Sequence, residues 1–117
     1  MSAPDPSPER PRPMLLSNEI VPERDCVRIR PAGELDVSTV PDLRDELAEL
    51  RRAGFKRLIL DLSKLEYIDS TGLRLVLHLD AEARRDGFEL QLVPGGAAIQ
   101  RVFELTDTAA RLPFTNA

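Results

Sequence analysis

The chain has 117 residues, 42% of them hydrophobic and 31% charged, a globular composition with room for one core and none for a second domain. Its net charge is -4, with Lys and Arg spread along the length, so it lacks the basic stripe of a nucleic-acid binder, and no nucleic-acid partner is expected. One cysteine, Cys26, forbids an internal disulfide and fits a reducing compartment, and no aliphatic run exceeds three residues, far from the roughly 20 that cross a bilayer.

Residues 1–13 contain five prolines among Ser, Asp, Glu and Arg. Such a composition predicts a disordered tail that is neither signal peptide nor membrane anchor, leaving residues 14–117 as the folded domain and the cytoplasm as the expected location. Leu15, Leu16 and Ile20 predict a first strand, and residues 22–25 a turn. In residues 26–30, Val27 and Ile29 alternate with Cys26, Arg28 and Arg30, which completes a hairpin. Ser38 and Thr39 precede Pro41 and Asp42 as a hydroxyl-capped helix start, and Val40, Leu43, Leu47 and Leu50 keep helical spacing as far as Gly54.

Residues 57–62 read as a strand, Ser63 and Lys64 as a break, and residues 65–68 as a second short approach to Asp69. Beyond Gly72, the spacing of Leu73, Val76, Leu77 and Ala81 predicts a helix that buries them and ends at Gly87, with Asp80 and the arginines elsewhere. Residues 88–92 alternate as a strand, and residues 94–96 turn. Ile99, Val102 and Phe103 mark a third helix, and residues 112–114 a short closing strand. The expected class is α/β: a mixed sheet of four to five strands flanked by about three helices.

The segment Tyr67-Ile68-Asp69-Ser70-Thr71-Gly72-Leu73 places a hydroxyl pair between a strand and a helix. A phosphate on Ser70 would meet unpaired N–H groups and the positive end of the helix dipole, worth roughly 0.3–1 kcal/mol in its favour. The simpler reading makes Ser70 a plain N-cap. A serine hydrolase is disfavoured, because the first Gly of a nucleophile elbow is missing and His78 lies eight residues, roughly 12 Å of helical rise, from Ser70. One Cys and one His form no metal cluster, so neither metal nor cofactor is expected.

Gly33-Glu34-Leu35-Asp36 with Thr39 and Leu43, then residues 58–62, then Ile68-Asp69-Ser70-Thr71-Gly72-Leu73, resemble the STAS family and, within it, the anti-sigma factor antagonists. The resemblance covers all but the tail and implies the STAS fold. It also implies a binding protein rather than an enzyme. Ser70 would be phosphorylated by a partner that is both anti-sigma factor and serine kinase, and a metal-dependent phosphatase would remove the phosphate. Thr71, standing where a second Ser is common, becomes a secondary acceptor. Asp36, Thr39, Asp69, Ser70, Thr71, Gly72 and Arg74 form the implied partner-binding set, although for Thr39 a helix-capping role is the simpler reading. Relatives usually continue into a last helix, which leaves the burial of Phe103 and Phe114 open. The other reading within the family is a non-switching subunit of a transporter or lipid-transport complex, with Ser70 only a cap.

Overall fold

A computed structural model describes residues 16–115; the proline-rich segment read as a tail lies outside them. β1 (Leu16–Glu23) and β2 (Cys26–Leu35) form the antiparallel hairpin, with Leu16 opposite Gly33 and Glu23 opposite Cys26. α1 is Val40–Arg52, β3 Arg57–Asp61, β4 Leu65–Ile68, α2 Ser70–Asp86, β5 Glu89–Val93 and α3 Ala97–Leu105, followed by a 3-10 turn at Ala109–Arg111. Among the described residues, no helix is long and apolar enough to cross a membrane.

The sheet is mixed and five-stranded, as expected. Its order is β1-β2-β3-β5, with β4 pairing β2. β2 is shared lengthwise: residues 26–29 pair in parallel with β3, and residues 33–35 with β4. It therefore runs five residues beyond the alternating stretch that marks it in the sequence. Pro31 and Gly33 are poor strand formers, but pairing on both sides outweighs propensity. Gly33 has φ 117° where the register against β4 slips, a backbone region in which only glycine is unstrained.

Period-2 alternation sends Val27, Ile29, Leu58, Leu60, Leu90 and Leu92 to one face, all buried. α1 covers this face with Val40, Leu43 and Leu47, each worth about 1.5–3 kcal/mol when fully buried. The Asn18 side-chain amide of β1 donates to Glu46 of α1 at 2.6 Å. α1 and α2 are clamped at their C-terminal ends by Arg51, which pairs with Asp86 at 2.9 Å and lies 4.2 Å above the Phe88 ring. On the opposite face, Arg28 and Arg30 both reach Asp61 Oδ2, at 3.3 and 3.2 Å. Asp61 is only 3% exposed. Burial alone would raise its carboxyl, but hydrogen bonds from Ser63 and the charge and hydrogen bond of Arg30 hold it below the usual carboxylate range.

α2 departs from the expected phase. Its buried residues are Gly72, Leu73, Leu75, Val76, Leu79, Asp80 and Ala83, whereas Leu77 is half-buried and Ala81 exposed. Leucines or valine at 73, 75, 76, 77 and 79 wrap most of the helix, so spacing alone left the phase ambiguous, and contact with both α1 and the sheet decides it. Asp80 is nearly covered, and its carboxylate is paired with Arg84 at 2.6 Å. The expected closing strand is a single parallel bridge, Phe114 to Leu92. It brings Phe114 edge-on to Phe103, 5.1 Å between centroids. Phe103 is fully buried and Phe114 half-buried.

Candidate functional site

Two loops meet at the carboxyl ends of β2 and β4. The helix start is one residue earlier than a Ser70 cap requires: Asp69 is the N-cap of α2, in extended conformation, and its Oδ1 accepts the Gly72 amide at 2.9 Å. The other oxygen, Oδ2, accepts the Val37 amide at 3.3 Å. The Asp69 amide donates to the Leu35 carbonyl at 3.2 Å, continuing the β2 pairing into the loop. Ser70 is thereby the first residue of the helix. Its side chain is exposed, and its hydroxyl has no hydrogen-bond partner among the described residues. Aspartate and serine are equally good caps by type, so the sequence alone did not separate them.

Gly72 lies beneath this surface. A Cβ there would stand 2.8 Å from both the Leu35 carbonyl oxygen and the Ile68 side chain, so a glycine lets the first turn of α2 press against β2 and β4. Thr71 is half-buried, and Arg74, one helical turn beyond Ser70, is exposed and without an ion pair among the described residues.

The β2–α1 loop is held from within. Asp36 Oδ1 accepts the Ser38 hydroxyl at 2.8 Å, the Ser38 amide at 3.0 Å and the Thr39 amide at 3.2 Å. The Ser38 hydroxyl, against the opposing pull of burial and with help from these amides, keeps the Asp36 carboxyl below its ordinary range. Thr39 sits at the N-cap position of α1 but makes no side-chain cap bond. Its hydroxyl donates to the Glu34 carbonyl at 2.8 Å and accepts the Asp36 amide at 3.0 Å, bracing the loop instead. Pro41 in the first turn removes one of the donors a cap would serve.

Asp36, Asp69, Ser70, Thr71 and Arg74 thus gather around one end of the sheet, while Thr39 and Gly72 are buried supports. Two residues outside the expected set join them. Val37 is 68% exposed and Tyr67, two residues before Asp69, is 50% exposed. A valine between Asp36 and Ser38, in a loop of polar side chains, was the available signal. Tyr67 lies within the short strand of residues 65–68, where Leu65 and Ile68 are buried and Tyr67 is exposed.

No group of three His, Cys, Asp or Glu side chains that could hold a metal occurs among the described residues. His78 is exposed on α2. It lines a groove of about 440 Å³ with Arg44, Leu47, Arg51 and Leu79, two helical turns from Ser70. Among the described residues, no imidazole stands within reach of the exposed Ser70 hydroxyl, since His78, the single histidine, lies two turns further along α2.

The sequence profile of the family described as "Mlab, STAS domain" matches residues 20–112. An anti-sigma-B factor antagonist of Staphylococcus aureus (strain NCTC 8325 / PS 47) is 32% identical over 93 residues, covering 80% of this chain and 86% of that protein. Among solved structures, an anti-sigma factor antagonist from Mycobacterium paratuberculosis superposes with a TM-score of 0.76 at 22% identity, over 91% of this chain and 90% of that one. The anti-sigma factor antagonist SpoIIAA, unphosphorylated, gives 0.70 at 22% identity over 86% and 89% of the two chains. The phosphorylated form of Bacillus SpoIIAA gives 0.66 at 22% identity over 86% and 92%. With the profile spanning residues 20–112 and a 32% identical relative covered over 86% of its length, the chain belongs to the STAS domain family.

Proposed function

We propose that this protein is an anti-sigma factor antagonist, a binding switch rather than an enzyme. With Ser70 unmodified it binds an anti-sigma factor that is also a serine kinase, freeing the sigma factor. Phosphorylation of Ser70 ends the binding, and a metal-dependent phosphatase resets it. The observation that carries this reading is the exposed Ser70 hydroxyl at the first position of α2, without a hydrogen-bond partner among the described residues. It can gain a phosphate without breaking a bond that the fold uses. The 32% identical relative is named for antagonism of an anti-sigma factor, and SpoIIAA, of the same fold, has been solved in a phosphorylated form.

The energetics suffice. A phosphate adds about -1.5 to -2 charge beside Asp69, and two unit charges about 4 Å apart at an effective dielectric of 20 interact by about 4 kcal/mol. Reversing occupancy from 99:1 to 1:99 needs about 5.5 kcal/mol, which lost shape fit completes. The test is calorimetric titration of Ser70→Ala and Ser70→Asp with the cognate anti-sigma factor. The alanine variant should bind like wild type and the aspartate variant much more weakly. Equal affinities would favour a non-switching subunit, and kinase labelling that maps elsewhere than Ser70 or Thr71 would remove the switch.

A further inference from the structure

Among the described residues, five large apolar side chains are exposed: Ile20, Val21, Val37, Tyr67 and Leu105. Ile20 and Val21 lie on the edge strand β1, and Leu105 at the C-terminal end of α3. The remaining two flank Ser70. Val37 is tied to the Asp69 cap by its amide, and Tyr67 precedes that cap by two residues, so the three side chains share one end of the sheet. Apolar surface exposed beside a modification site, on loops whose backbone is already hydrogen-bonded, is the usual form of a preorganised docking patch. Aromatic and arginine side chains carry most of the energy in such patches.

Arg74 supplies the arginine. It is exposed, without an ion pair among the described residues, and one turn from Ser70 on the same side of α2. Arg28 and Arg30 pair with Asp61, Arg51 with Asp86 and Arg57 with Glu89, whereas Arg24, Arg44, Arg101 and Arg111 are, like Arg74, exposed with no ion pair among the described residues; of these only Arg74 lies on α2, one turn from Ser70. An unengaged cation at the positive end of a helix calls for an acidic group on whatever docks there.

Resting on the anti-sigma factor reading above, we propose that Val37 and Tyr67 are the apolar anchors and Arg74 the charged anchor of the docking face. The matching surface on the anti-sigma factor is an apolar recess with an acidic rim. A phosphate on Ser70, four residues before Arg74, pairs with that guanidinium within the helix and repels the acidic rim. Modification thus removes an anchor as well as adding bulk.

The experiment titrates the full chain with the purified cognate anti-sigma factor, comparing wild type with Val37→Ser, Tyr67→Thr, Arg74→Glu, Leu105→Ser and Ser70→Asp, each checked for native circular dichroism. Val37→Ser and Tyr67→Thr should each weaken binding about 30-fold, the loss typical of a hot-spot side chain, and Leu105→Ser should leave it unchanged. Arg74→Glu should weaken binding, and adding Ser70→Asp to it should cost less than Ser70→Asp costs alone. If the Val37, Tyr67 and Arg74 variants bind like wild type while Ser70→Asp still fails to bind, the anchors are wrong and the switch stands. If wild type itself binds no anti-sigma factor, the functional reading falls and takes the anchors with it.

Discussion

The Val37 amide donates to Asp69 Oδ2 across 3.3 Å, joining two loops 32 residues apart in sequence. The same carboxylate caps α2 through Gly72, so one side chain both starts the helix and fixes the loop beside it. Asp69→Ala should therefore cost about 1 kcal/mol in urea unfolding, the usual value of a lost cap, and weaken partner binding as the Val37 loop comes loose. Asp69→Asn keeps an acceptor at the cap and should retain most of the stability. Equal unfolding midpoints for the alanine variant and wild type would show that neither bond matters.

Gly72→Ala is expected to cost about 1–3 kcal/mol. The added methyl would meet the Leu35 carbonyl oxygen at 2.8 Å, a backbone atom, and the Leu35 side chain at 2.9 Å. Relief requires α2 to shift away from β2, so a chemical-shift map should show changes along the first turn of α2 and not at Gly87.

Element order, the mixed sheet and the exposed position of Ser70 were all legible before any coordinates, because hydrophobic periodicity and turn residues report local geometry. Four features were not. The cap of α2 depended on choosing between adjacent residues of equal capping quality. The phase of α2 was hidden by apolar residues on most of its circumference, and only its two-sided packing selects Leu79 and Ala83 over Leu77 and Ala81. Thr39 has the residue type of a helix cap, yet its hydroxyl is captured by the Glu34 carbonyl, a contact that depends on how β2 ends. The exposure of Val37 and Tyr67 was not legible either, because the exposure of an apolar side chain is a tertiary fact.

Acid should destabilise the protein through Asp61 and Asp36. Both carboxyls are held below their ordinary range in the fold, so protonation favours the unfolded chain. Their stabilisation is complete above the unfolded carboxylate value, about 3.9 for Asp, and is lost as pH falls through the folded value. Unfolding midpoints measured from pH 7 down to about 2.5 should decline on that limb. Asp61→Asn should flatten it. An unchanged slope in the variant would assign the acid sensitivity to other groups.

Cys26 is 6% exposed, and burial raises its thiol above the ordinary value despite the nearby Arg57. Less thiolate and little access both slow alkylation. Iodoacetamide at pH 8 should modify the native protein far more slowly than the urea-unfolded chain. Comparable rates would mean that the first turn of β2 opens readily.

Phe103→Ala should cost about 3–5 kcal/mol. The ring is fully buried and meets Phe114 edge-on, so its removal also frees the segment that bridges to β5. Proteolysis near residue 114 should rise in this variant and stay low in Phe103→Leu.

The two-fold use of β2 sets how the chain can assemble. Cys26 pairs with Arg57, and Leu35 pairs with Ile68, so the central strand must wait for two separate partners made later in synthesis, both beyond the intervening α1. Such non-local closure slows folding relative to helical bundles of similar size. Until residues 57–68 have left the ribosome, the β2 edge of the hairpin is unpaired, and an unpaired strand edge is open to pairing with another chain.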